Sequence, residues 1–140
     1  MDYATVGGAT LGRSLTGVGL NILTRDAGAL ARFVSEVFGL TLLRESRDFA
    51  LVQHQGQIIQ FHSDAAFAGH PLYALLPENP PRGTGVQIYL FNTDPDASAA
   101  RAEALGGSLL ELPRDKPHGL REATILSPEG HAFTSAKILE

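Results

Sequence analysis

The stretch VGLNILTRDAGALARFVSEVFG, residues 18–39, decides the fold, because residues 86–107, VQIYLFNTDPDASAARAEALGG, repeat its plan. In the first copy Val18, Leu20 and Ile22 alternate along one side, the period-two pattern of a half-buried strand. Asp26 stands where a helix begins. Leu30, Phe33, Val34 and Val37 follow at helical spacing, and Gly39 closes the run. In the second copy Val86, Ile88 and Leu90 alternate, Asp94 opens a stretch rich in helix formers from Ala97 to Leu105, and Gly106-Gly107 ends it. Asp26 to Asp94 and Gly39 to Gly107 are the same step of 68 residues.

Each copy is followed by three short strand candidates. After the first they are residues 40–45, 49–54 and 57–62, with Gln55-Gly56 as a tight turn; after the second, 108–112, 121–126 and 131–137. Gly130 repeats Gly56 at a step of 74, the excess matching a longer connection around Pro113–Gly119. The simplest account is an α+β fold of two tandem βαβββ modules. Each module covers one sheet face with its helix and leaves the other bare. Two bare faces set side by side predict a concave cup with the helices outside, and such a cup is a natural binding site. The predicted layout is a loosely held tail over 1–16 and one domain over 17–138. Within the domain, module one spans 17–62, a linker or lid spans 63–83, and module two spans 84–138. The connecting segment holds four prolines, yet Phe67, Leu72, Tyr73, Leu75 and Leu76 make it too apolar for a floppy tether. Docking on the core and closing over a ligand are both open readings of it.

Composition narrows the function classes. At 140 residues, 44% apolar and 19% charged, the chain reads as one ordinary globular domain. It has no cysteine, so disulfides, thiolate metal sites and cysteine nucleophiles are excluded. Eleven basic against fifteen acidic residues leave a net charge of −4 and no basic patch for nucleic acid. No apolar stretch reaches the roughly 20 residues of a membrane span, and Met1 to Gly17 lacks the apolar core of a signal peptide. These features predict a soluble, cytoplasmic protein.

Several motifs, taken in order, resemble the vicinal oxygen chelate superfamily, which includes glyoxalase I, extradiol dioxygenases, fosfomycin-resistance enzymes and bleomycin-resistance binding proteins. The resemblance covers about residues 17–138. It rests on Asp26 with Arg32-Phe33 and Phe38-Gly39-Leu40, on Asp94 to Gly107, on Pro117-His118-Gly119 with Arg121-Glu122-Ala123, and on the closing turn Pro128-Glu129-Gly130-His131-Ala132-Phe133. Val34 stands where the family commonly has tyrosine, and Ser127 where an aspartate usually begins that turn. The resemblance implies one metal ion held by one ligand from each of four strands, at positions that fall here on Gly19, Gln60, Gln87 and Thr134. Those positions form two repeat-related pairs, and their chemistry is wrong for a divalent ion, which wants imidazole, carboxylate or thiolate donors. The cofactor expectation is therefore none, with one divalent ion as the weaker alternative.

With the implied positions on the inner faces, as the resemblance has them, the inward set is Asn21, Gln60, His62, Gln87, Tyr89 and Thr134, among Leu23, Ile58 and Ala132. A few neutral hydrogen-bonding groups on an apolar wall suit a small organic ligand, uncharged rather than anionic. His62 and Tyr89 are a candidate acid–base pair. His131 has the opposite parity to Thr134 and should point away, while His54, His70 and His118 fall at turns, where solvation is the default. The predicted function is small-molecule binding of the bleomycin-resistance type without the family metal; the alternative is a metal-dependent lyase or dioxygenase using Gln60, His62 and Gln87. The catalytic residues stay open. A homodimer is expected from the resemblance and from exposed strand edges, with Phe67–Leu76 as a candidate contact. Arg121 is predicted to pair with Glu122 or with an acid on a neighbouring strand.

Overall fold

The computed structural model describes residues 1–140, and eight strands and three α-helices form two compact units. The first unit comprises 1–35 and 40–75 and the second 36–39 and 76–140. In chain order the elements are α1 (Gly8–Ser14), β1 (Leu20–Thr24), α2 (Ala27–Phe38), β2 (Thr41–Arg44), β3 (Phe49–His54) and β4 (Gln57–Ser63). The series continues with β5 (Gly83–Phe91), α3 (Pro95–Ala102), β6 (Ser108–Asp115), β7 (Leu120–Leu126) and β8 (His131–Ile138). Two βαβββ modules are present, and the fold is α+β.

The first sheet has the order β1-β4-β3-β2. β1 runs parallel to β4 with Asn21 opposite Gln60, and β3 is antiparallel to β4 with Phe49 opposite His62 and Leu51 opposite Gln60. The β3–β4 turn uses Gln55 and Gly56, both at positive φ (50° and 80°), the backbone of a two-residue hairpin loop. On one face Ile22, Ala50, Val52, Ile59 and Phe61 are buried, and α2 adds Leu30, Phe33 and Val34 to the core. α2 starts at Asp26, whose carboxylate accepts from the Ala29 N–H at 3.0 Å.

Two expectations for this half are corrected. Val18 is fully exposed and β1 begins only at Leu20, so Gly19 lies just outside the strand. The first sixteen residues are not a loose tail: residues 8–14 form α1, and Leu11 is buried. Leu11 supplies the apolar anchor that the surrounding small and polar residues conceal.

The second sheet repeats the first with the order β5-β8-β7-β6. Tyr89 lies opposite Thr134, Thr124 opposite Thr134 across the other side, and Glu122 opposite Ala136. α3 packs across β6, β7 and β8, over a face that holds Ala123, Ile125, Phe133 and Ser135. The helix is capped by Asp94, which accepts from the N–H groups of Asp96 and Ala97, with Pro95 at the first position. Gly130 is required where it stands: its φ is +83°, and a Cβ there would lie 2.6 Å from the Pro81 Cα. β6 runs on to Asp115 through Pro113, which an edge strand with irregular register tolerates.

The connection after β4 contains two 3₁₀ turns, Ala65–Phe67 and Pro71–Leu75. Phe67 docks, with its ring 5.4 Å from His62 and 4.9 Å from His70. Leu72, Tyr73 and Leu75 do not, being 46%, 47% and 77% exposed. Core docking therefore holds for one part of this segment and fails for the other.

Candidate functional site

In the first unit the face opposite the buried one carries Asn21, Gln60 and His62, as parity predicts, together with Phe49 and Leu51 from β3. His62 is held from three sides. Its Nδ1 lies 2.7 Å from Asn21 Oδ1, and its ring sits 4.8 Å from Phe49 and 5.4 Å from Phe67. Burial pushes the imidazole below its ordinary value of 6.5. α1 lies against this face. Gly8, Leu11, Gly12 and Leu15 line, with Arg44, Phe49, Gln60 and His62, a half-open cavity of about 330 Å³.

Arg44 was missed by alternation for a physical reason. Leu42 pairs with Val52 on the buried face, so a regular strand would put Arg44 there as well. A bulge between them places Arg44 opposite Leu51 instead, on the face of Gln60, because one extra residue inverts the parity of all that follows. The guanidinium stacks 5.1 Å from the Phe49 ring centre and donates to the Val6 carbonyl at 3.1 Å.

In the second unit the corresponding face carries Gln87, Tyr89 and Thr134, again as parity predicts. Gln87 Nε2 donates to Thr134 Oγ1 at 2.8 Å, and Thr134 is 2.9 Å from Thr124 Oγ1. The Tyr89 hydroxyl donates to Glu122, 3.2 Å from each carboxylate oxygen, and His118 Nε2 donates to Oε2 at 2.7 Å. Glu122 is 3% exposed, so a phenol and an imidazole compensate a buried carboxylate. Burial raises the Tyr89 phenol above its ordinary value, and the Glu122 charge adds to the rise. Tyr89 stacks on Phe91 at 5.0 Å.

These bonds bear on three expectations. His62 bonds Asn21 and Tyr89 bonds Glu122, each within its own unit. His118 is not merely solvated: half its side chain is exposed, but its ring nitrogen serves Glu122. Arg121 pairs with Asp115 on the neighbouring strand β6, as expected of an acid on another strand, and also with Asp96 on α3. Alternation does put Glu122 and Thr124 on one face of β7. Which face that is depends on pairing with β8, a long-range fact. His131 is buried and bonded to Ser127, a satisfied core histidine.

The four positions implied for a metal do not suit one. Gly19 has no side chain, Gln60 is a neutral amide, and Gln87 and Thr134 bond each other. No group of three or more His, Asp or Glu side chains converges anywhere in the chain. Neutral amides and a hydroxyl do not offset the dehydration of a divalent ion as imidazole and carboxylate donors do.

Residues 18–135 match the glyoxalase-like domain family, and the chain belongs to it, within the vicinal oxygen chelate superfamily. Among solved structures it is similar to a glyoxalase/bleomycin resistance protein/dioxygenase family enzyme from Burkholderia phytofirmans PsJN. That match has 23% identity and a TM-score of 0.69, covering 86% of this chain and 96% of that one. It is similar also to TioX from Micromonospora sp. ML1, at 21% identity, TM-score 0.60, and 87% and 95% coverage. The fosfomycin resistance protein FosX from Mesorhizobium loti matches at 17% identity, TM-score 0.60, and 88% and 92% coverage. No curated protein matches the chain. No helix is long and apolar enough to cross a membrane.

Proposed function

We propose that this protein binds a small organic molecule in the manner of the bleomycin-resistance branch, without the metal ion of the family's enzymes. The observation that carries the reading is the Gln87–Thr134 hydrogen bond, in which two of the four implied metal positions spend their polar atoms on each other. The half-open cavity of about 330 Å³ beside Gln60 and His62 supports it, since ligand pockets of ~300–1,000 Å³ combine apolar walls with a few placed polar groups. A cytoplasmic, homodimeric protein completes the proposal.

A thermal-shift screen of small molecules and metal ions tests it. A ligand that binds only the folded state stabilises it by about 2.7 kcal/mol at a hundred times its Kd. The expected result is a shift with an organic compound, together with well under one ion per chain by elemental analysis. A stoichiometric transition metal, lost in Gln60→Ala or Gln87→Ala, would overturn the reading in favour of a metal-dependent lyase or dioxygenase. One observation favours catalysis of another kind: Tyr89, Glu122 and His118 form a bonded chain able to move a proton. Turnover of a bound compound that is lost in Glu122→Gln, with binding retained, would establish that second reading.

A further inference from the structure

We propose that the cavity in the first unit takes the acid group of a small organic acid, with Arg44 as its anchor and Gln60 and His62 reading a hydroxyl substituent. The inference rests on the binding reading above and gives it a ligand class. Arg44 is the one permanent charge in the cavity wall, and no carboxylate lines the cavity. Its contacts are the Val6 carbonyl and the face of Phe49, and it has no carboxylate partner. A guanidinium has five N–H donors in a planar fork, so most of its capacity is unspent. Holding a half-buried cation without a counter-charge is costly, and a carboxylate would offset that cost through paired, charge-assisted hydrogen bonds.

The remaining wall sets the body of the ligand. Leu11, Leu15 and Phe49 are apolar, and Phe49 offers a ring face for an aryl or alkyl group. Gln60 supplies both a donor and an acceptor. With Asn21 Oδ1 accepting from Nδ1 of His62, the other ring nitrogen is left to accept from a hydroxyl. The chain's many neutral polar groups favour an uncharged ligand when read from sequence; Arg44, brought to this face by the bulge, reverses that for this cavity.

The test uses 3-phenyllactate and its uncharged analogue 3-phenyllactamide, which share size and hydroxyl and differ in charge. Both are titrated into the full chain, followed by amide chemical shifts. The acid should bind at least ~10-fold more tightly than the amide, since a charge-assisted bond is stronger than a neutral one by an energy of that order. The shifts should centre on Leu11, Arg44, Phe49 and His62. In Arg44→Gln the acid should fall to the affinity of the amide while the amide is unchanged. Arg44→Lys, which keeps the charge without the fork, should recover part of the loss and covers the case in which Arg44→Gln does not fold. Equal binding of acid and amide, or shifts centred elsewhere, would overturn the inference. If the thermal-shift screen finds only neutral ligands, this inference falls and the binding reading stands; if the screen and both titrations are silent, both fall.

Discussion

Arg121 and Glu122 are neighbours in the chain that do opposite work, because adjacent strand residues face opposite sides. Arg121 holds Asp96 at 2.8 and 2.9 Å and Asp115 at 2.9 Å, and the Asp96 carboxyl is pushed below its ordinary 3.8 by the hydrogen bond from Arg121. Folded Asp96 therefore takes up a proton less readily than unfolded Asp96. The stability it contributes is present above the unfolded value and is lost as pH falls through the depressed folded one. Arg121→Gln should return the Asp96 titration, read by side-chain NMR, toward the ordinary value; an unmoved titration would show that the pair is not formed in solution. On the other face, Tyr89→Phe removes one of two donors to buried Glu122. It should cost about 1–3 kcal/mol in denaturant unfolding, the range for a buried acceptor left short of a partner. A change within about 0.5 kcal/mol, typical of surface positions, would mean that water replaces the phenol.

At the level of elements, α1 is the weakest helix. It has seven residues, two of them glycines, and its N-cap Gly7 offers no side chain to its free N–H groups. Isolated helices shorter than about 12–15 residues are marginal even with good helix formers, so α1 persists through tertiary contact. Leu11 is its buried anchor, a contact on the order of 1.5–3 kcal/mol. Leu11→Ala should abolish hydrogen-exchange protection over residues 8–14 and leave β3 and β4 protected, a local opening with little change in the global midpoint. Loss of protection across the whole first sheet would instead make α1 part of its core. α3 is the contrasting case: Asp94→Ala removes a cap bonded to two N–H groups and should cost about 1 kcal/mol, read as a lower melting temperature.

For the whole molecule, the exposed apolar side chains raise the question of a partner. Leu72, Tyr73 and Leu75 on the connection and Leu110 and Leu112 on edge strand β6 all stand largely in solvent. Runs of exposed apolar side chains mark interaction surfaces, and a strand edge left unpaired invites another chain. Light scattering across a dilution series should report twice the 14.9 kDa chain mass at high concentration, and Tyr73→Glu with Leu75→Glu should shift it to the monomer. A monomer mass throughout would remove the dimer.

The repeated strand–helix plan, the caps at Asp26 and Asp94, the glycine stops and the existence of all eight strands were legible in local pattern, because period and capping are properties of a few consecutive residues. That Asn21, Gln60 and His62 share one face of the first sheet, and Gln87, Tyr89 and Thr134 one face of the second, followed from parity for the same reason. Pairing decided the rest. The bulge that turns Arg44, the docking of α1 through Leu11, and the Tyr89–Glu122–His118 chain join residues far apart in sequence, Arg44 and Val6 by 38 positions. No local period records such contacts: they depend on which strand lies beside which, and a one-residue shift in that register moves a side chain from one face of the sheet to the other.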